Sequence, residues 1–195
     1  MRTRKEEIVI ACGVFRPCMR HMKITERFPR LRLRFLPSNL HINPFILQRR
    51  VLKEIRAAKR RNERITCLYG ECFPGIDDFC AEHGARRVPG CNCYQMLLGR
   101  DLFHRLIDET AGTYFLEQEL ITDFERCCAQ PLELHDEEMR QEFFKHYRKL
   151  VYVRQPGDRG LEFKAQELAR FLDLCLDIRD SDYSHLERRL LALIE

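Results

Sequence analysis

The sequence of 195 residues lacks any apolar run near the roughly 18 residues that a membrane-spanning helix needs. It also lacks low-complexity tracts and internal repeats, and its 45% hydrophobic and 33% charged residues are ordinary for a folded chain. The stretch 9–12 resembles a lipoprotein cleavage site, but it follows Glu6 and Glu7 and is shorter than the about 7–15 apolar residues of a secretory signal. These absences argue against an integral membrane protein and a secreted protein, and they predict a cytoplasmic location.

Several common functional motifs are also missing. There is no Gly-x-Gly-x-x-Gly loop, no Walker sequence, no Gly-x-Ser-x-Gly elbow and no Cys-x-x-Cys pair. Gly70 and Gly75 flank a predicted strand-to-helix turn that could cradle a phosphate, but without a motif around them nucleotide binding is disfavoured. The spacing of the cysteines likewise matches no known zinc finger or ribbon.

Short apolar runs alternate with segments of helical spacing along the whole chain. Such alternation indicates parallel βαβ units. We therefore predict an α/β fold, a three-layer Rossmann-like sandwich with a mostly parallel sheet of five to seven strands. Residues 1–195 are expected to form one domain, with residues 1–7 as a disordered tail. Strands are predicted at 8–12, 31–36, 65–69, 86–88, 113–116, 150–153 and 174–178, and helices at 44–61, 76–82, 94–98, 117–128, 136–147, 161–172 and 184–194.

The charge is unevenly distributed. Residues 1–64 hold 18 Lys and Arg against 5 Asp and Glu, whereas residues 65–195 hold 16 against 25. The basic helix predicted at 44–61 is either an ordinary solvated face or a docking surface for a protein partner. A nucleic-acid partner is disfavoured, a small-molecule substrate stays open, and the oligomeric state is not predicted.

Three of the ten cysteines share one structural position. Cys12 ends the first predicted strand, and Cys72 and Cys93 lie in turns after two others. Ligands of open α/β sheets bind beyond the carboxyl ends of the strands, so these thiols would converge if their strands are neighbours. Three thiolates suit zinc with an open fourth position, or an iron–sulfur cluster, and they disfavour magnesium and calcium. The alternative is three small buried residues at strand ends.

Other residues are candidates for acid–base or redox chemistry. His41 precedes a predicted helix cap, Glu71 is beside Cys72, and Tyr94 follows Cys93. His41 could be a fourth metal ligand or an acid–base group, and the alternative is a hydrogen bond to the backbone. Glu71 could orient a metal ligand or move protons, and the alternative is a solvated turn residue. A thiol redox pair, either Cys91 with Cys93 or Cys12 with Cys72, is a further hypothesis.

A set of ordered motifs covers most of the chain. The motifs are Ala11-Cys12-Gly13, Leu36-Pro37 with Leu40-His41 and Pro44, Tyr69-Gly70-Glu71-Cys72, Gly90 with Cys93-Tyr94 and Met96, Gly99, Gly112-Thr113-Tyr114-Phe115-Leu116, and Tyr147 before Val151-Tyr152. Together these motifs resemble an uncharacterised microbial family, domain of unknown function 1638. The resemblance emphasises Cys12, Cys72 and Cys93, which implies a shared metal site. It also carries an association with one-carbon and corrinoid methyl-transfer metabolism, and so with a metal-dependent transferase acting on a thiol, methyl-group or corrinoid-related substrate.

This chain departs from the family pattern at three positions. Asn92 stands where a histidine is common, Gln95 where a glutamate is common, and Phe73 where a glycine is common. If those histidine and glutamate residues do acid–base work, this chain is altered in that step, whereas ligation by the cysteines would survive. Three functions are therefore carried forward: a three-cysteine metal protein, whether or not it is an enzyme; a metal or cofactor delivery module that docks through residues 44–61; and a thiol redox protein.

Overall fold

The computed structural model describes residues 6–194, so residues 1–5 of the predicted disordered tail lie outside it. Glu7 already belongs to the first strand. The strands are β1 Glu7–Cys12, β2 Leu31–Leu36, β3 Arg64–Leu68, β4 Arg86–Arg87, β5 Thr113–Glu117, β6 Lys149–Arg154 and β7 Cys175–Asp180. The helices are α1 Arg16–His21, α2 Ile24–Arg27, α3 Pro44–Arg60, α4 Ile76–Glu82, α5 Cys93–Leu98, α6 Arg100–Glu109, α7 Gln118–Thr122, α8 Glu137–Phe144, α9 Leu161–Phe171 and α10 Ser184–Ile194.

The chain divides into two compact units. Unit 1 comprises the described residues up to Met96 together with α10, and unit 2 comprises Leu97–Tyr183. Each unit contains its own sheet, ordered β2-β1-β3-β4 in unit 1 and β5-β6-β7 in unit 2. The prediction that residues 1–195 form one domain stays a prediction.

The sheet of unit 1 is entirely parallel, with β1 between β2 and β3. Ile8, Val9 and Ile10 are all fully buried although successive side chains of a strand point to opposite faces. Both faces of β1 are therefore covered, as expected of a strand inside a parallel sheet. This is why its sequence is a continuous apolar run rather than an alternating one.

Helix α3 begins at the predicted residue for the predicted reason. The side chain of Asn43 accepts a hydrogen bond from the backbone N–H of Ile46 at 3.1 Å, and Pro44 occupies the first helical position. The apolar side of the helix packs on the sheet of unit 1, since its buried residues belong to the same core as Ile8 and Ile10. These buried helix residues are Leu47, Val51, Ile55 and Ala58.

The sheet of unit 2 is also entirely parallel. The α/β class and the parallel strands are thus confirmed, while the seven strands form two sheets of four and three rather than one sheet. β4 is only two residues long and pairs with β3 at Thr66 and Cys67. So short a strand offers few backbone groups to a further strand, and β5 pairs with β6 instead.

The helix predicted at 117–128 is interrupted. The carboxylate of Glu117 caps α7 by accepting hydrogen bonds from two backbone N–H groups, α7 ends at Thr122, and a π-helical turn occupies Glu125–Ala129. Three helices were not predicted: α1, α2 and α6. Within residues 6–194, no helix is long and apolar enough to cross a membrane.

Candidate functional site

The strands that precede the three cysteines are consecutive neighbours. In the order β2-β1-β3-β4, β1 lies beside β3 and β3 beside β4, and all three run in the same direction. Cys12 is the last residue of β1, Cys72 follows β3, and Cys93 opens α5 after β4. The predicted convergence required that these three strands be neighbours, and they are. All three cysteines therefore lie at the carboxyl edge of one sheet.

Cys12 and Tyr69 lie side by side on one face of this sheet. Ala11 pairs with Leu68, so the next residues along the two strands, Cys12 and Tyr69, are adjacent. Both contact the core between the sheet and helices α3 and α4, and Cys72 packs against the same core. Cys12 and Cys72 are each half-buried, which leaves part of their surface open to a ligand.

The turns that hold Cys72 and Cys93 are in direct contact. The backbone N–H of Glu71 donates to the carbonyl oxygen of Cys91 at 2.7 Å. A Cβ atom at Gly70 would lie 2.5 Å from the Cα of Asn92, closer than real atoms approach. Gly70 is therefore required for the close approach of two turns, which is a different role from the phosphate cradle considered for it.

Arg87 links three segments of the chain at this edge of the sheet. Its guanidinium donates to the carbonyl oxygens of Tyr69 at 2.9 Å and Gly90 at 2.8 Å, and it forms a two-bond ion pair with Asp77 at 2.6 and 2.8 Å. Only 5% of the Arg87 side chain is exposed. One buried cation thus links the end of β3, the turn after β4 and the start of α4. Sequence reasoning missed Arg87, because one arginine in a basic sequence carries no local signal.

The hydroxyl of Tyr69 is fully buried, and no group among residues 6–194 forms a hydrogen bond with it. Burial, followed by the neighbouring thiols of Cys12, Cys67 and Cys72, raises the pKa of Tyr69 well above its ordinary value. The side chain is thus a neutral donor that lies close to two of the three predicted ligands. In the sequence this residue opens the Tyr69-Gly70-Glu71-Cys72 motif at the end of an apolar strand, but no local signal assigned a role to its hydroxyl.

The chain matches the model of a family described as a protein of unknown function, DUF1638, over residues 35–190. The chain belongs to this family. No curated protein and no solved structure matches it.

The three departures of this DUF1638 chain from the family pattern have structural roles. The side chain of Asn92 accepts from the N–H of Gln95 at 2.8 Å, and the side chain of Gln95 accepts from the N–H of Cys91 at 3.1 Å. This reciprocal pair caps the start of α5 and holds Cys93 in the first helical turn. Phe73 is buried with its ring edge-on to Phe79, at 5.2 Å between centroids. These side chains stabilise the turns that carry Cys72 and Cys93.

The predicted acid–base candidates differ in exposure and in surroundings. His41 is exposed, and its Nδ1 lies 2.6 Å from the carbonyl oxygen of Ser38, which is the backbone interaction considered as the alternative. Glu71 is exposed and lines a cavity of about 500 Å³ together with Cys72 and Pro44. Tyr94 is half-buried in the first turn of α5.

Burial outweighs the local groups that favour a thiolate at Cys72. Its pKa is raised, chiefly by burial, although the backbone N–H of Gly70 and the charge of Arg87 act in the opposite direction. The N-terminus of the following helix, α4, does not offset this effect of burial. Helix α4 starts only at Ile76, and a helix terminus acts over about one turn.

The three cysteines share an edge without forming a ready ligand set. In the part of the chain from Glu6 to Ile194, no three His, Cys, Asp or Glu side chains are placed to hold a metal ion together. A metal ion at Cys12, Cys72 and Cys93 therefore requires their sulfurs to move closer. None of the ten cysteines, all of which lie within residues 6–194, forms a disulfide bond.

Proposed function

We propose that this protein binds a metal ion through Cys12, Cys72 and Cys93, and that the metal itself completes the site. The observation that carries the proposal is the strand order, which brings the ends of β1, β3 and β4 to one edge of a parallel sheet. The contact between Glu71 and Cys91 supports it, because the turns that carry Cys72 and Cys93 are already joined. Metal binding and local ordering are commonly coupled in this way.

Zinc is the metal we favour, and an iron–sulfur cluster is the alternative. Three thiolates leave a fourth position of zinc open, and such an ion can activate an incoming thiol as a nucleophile. The protein's own contribution is to exclude water around the half-buried Cys12 and Cys72 and to give up a proton from each thiol on binding. A reducing cytoplasmic location, which keeps the ten cysteines as thiols, belongs to the same proposal.

The reaction that we propose is transfer of a methyl group from a corrinoid-related donor to a thiol substrate. The thiol loses its proton and its sulfur forms a bond to the methyl carbon, while the donor's bond to that carbon breaks and the donor keeps the electron pair. This step rests on the family association alone. It predicts that the metal-loaded protein consumes one such substrate, whereas a delivery module would bind and release metal without turnover. A thiol redox function predicts instead a reversible loss of two thiols on mild oxidation, measured by thiol titration.

The first experiment measures metal binding in protein purified without oxygen. We expect close to one equivalent of zinc or iron, and less than about 0.2 equivalents under conditions that retain labile metal would contradict the proposal. Cobalt(II) titration then reports thiolate ligation through its absorption bands. Serine substitutions of Cys12, Cys72 and Cys93 are expected to weaken cobalt binding at least about tenfold each.

Two controls make this test specific. Cys91→Ser changes a thiol in the same turn as Cys93, and Cys175→Ser changes an exposed thiol on β7. Both variants should bind cobalt like the unmodified protein. Equal cobalt affinity in the Cys12, Cys72 and Cys93 variants would exclude the three-cysteine site even if the protein binds metal elsewhere.

A second candidate function, docking to a partner protein through α3, rests on the exposed side of that helix. Phe45 is 79% exposed, and it is followed at helical spacing by Arg49, Lys53 and Arg56 on the same side. These three cations have no ion-pair partner among residues 6–194. An acidic protein surface with an apolar residue would complement this side of α3.

Charge reversal tests the docking function. Reversal of Arg49, Lys53 and Arg56 together should abolish capture of a partner. The matched control reverses three exposed arginines of unit 2, which should leave capture intact. If both triple variants capture the partner equally, α3 is not the docking surface. The control positions are Arg105, Arg159 and Arg170.

A further inference from the structure

The exposed apolar side chains of this protein are concentrated at two places. Six large apolar side chains of residues 6–194 are exposed to solvent, and five of them fall into two groups. Ile42, Phe45 and Ile46 lie at the start of α3 in unit 1, and Met139 and Phe143 lie on α8 in unit 2. Single exposed apolar residues are ordinary, whereas neighbouring ones are typical of surfaces that contact another molecule.

The apolar group on α3 continues into a row of cations. Phe45, Arg49, Lys53 and Arg56 are all exposed and follow one another at helical spacing; we call these four residues the basic face. The basic face belongs to the basic first third of the chain, in which residues 1–64 hold 18 Lys and Arg against 5 Asp and Glu. With no ion-pair partner among residues 6–194, its cations are available to the carboxylates of another molecule.

Helix α8 carries a face of the opposite charge. Its buried residue Phe144 packs into unit 2, and four exposed residues one turn apart in pairs lie on the other side. These four, which we call the acidic face, are Glu138, Met139, Glu142 and Phe143. Glu138 has no ion-pair partner among residues 6–194. Glu142 pairs with Lys145, but both side chains are largely exposed, so a cation of another molecule can replace Lys145.

The two faces match in charge, in spacing and in apolar content. Arg49 and Lys53 are separated by four residues, as are Glu138 and Glu142, so each pair of charges is about 6 Å apart along its helix. Two helices lying side by side can therefore bring both pairs of opposite charges together. Each face also places exposed apolar side chains next to its charges, as protein interfaces do.

We propose that the partner of α3 is a second copy of this chain, with the basic face of one copy docked on the acidic face of another. The inference rests on the second candidate function, docking through α3, and it names the partner; it does not depend on the metal site. A contact between two helix faces is smaller than the about 1,200 Å² of a stable interface, so we expect weak association with a Kd of about 10–100 µM. Salt should weaken it further, because exposed charges carry much of the attraction.

The experiment exchanges the charges of the two faces. The α3 variant carries Arg49→Glu, Lys53→Glu and Arg56→Glu, and the α8 variant carries Glu138→Lys and Glu142→Lys. Sedimentation velocity measures the molar mass of each protein up to about 500 µM, a concentration well above the expected Kd. Each variant alone presents two faces of the same sign, so its self-association should weaken at least about tenfold. An equal mixture of the two variants pairs opposite signs at both contacts, and association should return.

Every other result counts against the proposal. Unmodified protein that stays monomeric up to about 500 µM would overturn it, whereas capture of a different protein that is lost in the α3 variant would leave docking through α3 intact. A mixture that stays monomeric although both variants have the circular dichroism and thermal midpoint of the unmodified protein would exclude the pairing of α3 with α8. The matched control, with Arg105, Arg159 and Arg170 reversed, should associate like the unmodified protein, and equal loss there would reduce the effect to net charge.

Discussion

Replacing Arg87 with alanine removes the side chain that joins three segments around the candidate site. Four hydrogen bonds are lost, two of them to Asp77 and one each to the carbonyl oxygens of Tyr69 and Gly90. These hydrogen bonds contribute unequally to the free energy of unfolding, because the Asp77 side chain is 67% exposed whereas the Arg87 side chain is 5% exposed. Water can replace the cation at Asp77, but it reaches the two carbonyl groups poorly.

The expected loss of stability in Arg87→Ala follows from this difference in exposure. An exposed ion pair contributes about 0–1 kcal/mol, so loss of the Asp77 partner is a small part of the effect. Each carbonyl group left without a donor costs about 1–2 kcal/mol when it is shielded from water. We therefore expect Arg87→Ala to lower the free energy of unfolding by about 3 kcal/mol, and Asp77→Asn by less than about 1 kcal/mol. In a chain of this length about 3 kcal/mol corresponds to a fall in midpoint of roughly 6–12 °C.

The assay is urea and thermal denaturation of both variants, with attention to the transition of unit 1. Cobalt(II) binding should also weaken in Arg87→Ala, because the turns that carry Cys72 and Cys93 lose their common anchor. Equal destabilisation by Arg87→Ala and Asp77→Asn would refute the reasoning, since it would mean that the ion pair, and not the carbonyl bonds, carries the stability.

Three further predictions concern single side chains. Burial raises the pKa of Glu117 to about 8, so the folded protein favours the protonated form of this side chain. The contribution of Glu117 to stability is therefore fully present below the ordinary pKa of 4.5 and is lost as pH rises through 8. Denaturation at pH 5, 7 and 9 should show that the free energy of unfolding of unit 2 falls with rising pH, and Glu117→Gln should reduce this pH dependence. Gly70→Ala should weaken cobalt binding and lower the thermal midpoint, because its Cβ would lie 2.5 Å from the Cα of Asn92; normal binding would show that the turns can separate freely. Asn92→Ala should cost about 0.5–2 kcal/mol in urea denaturation by removing the cap of α5, while Asn92→Ser should restore most of it.

Local sequence signals predicted most of the secondary structure. The apolar run of β1 and the cap formed by Asn43 and Pro44 depend on neighbours within a few residues, and both were found as predicted. Helix α6 could have been found from the same kind of signal, since Phe103 and Leu106 are buried at a spacing of three residues. The interruption of the helix predicted at 117–128 could not have been found in this way. It depends on Glu117, whose side chain caps α7 and is buried in the core of unit 2.

The candidate site depended on contacts between distant segments. Cysteines at the ends of strands were visible in the sequence, and so was the family to which the chain belongs. Whether those strands are neighbours depended on the pairing of β1 with β3 and of β3 with β4. The contact of Gly70 with Asn92 and the bonds of Arg87 likewise join residues far apart along the chain.

The sequence by itself determined that this is an α/β protein with parallel strands and three cysteines after strand ends, because periodicity and turn residues act locally. Only the tertiary structure decided that the strands form two sheets, that the three cysteines share one edge, and that their sulfurs are not placed as a ready ligand set. It also decided that the buried hydroxyl of Tyr69 finds no hydrogen-bond partner in the described part of the chain, residues 6–194. Strand order and burial arise from packing between segments that no local pattern encodes.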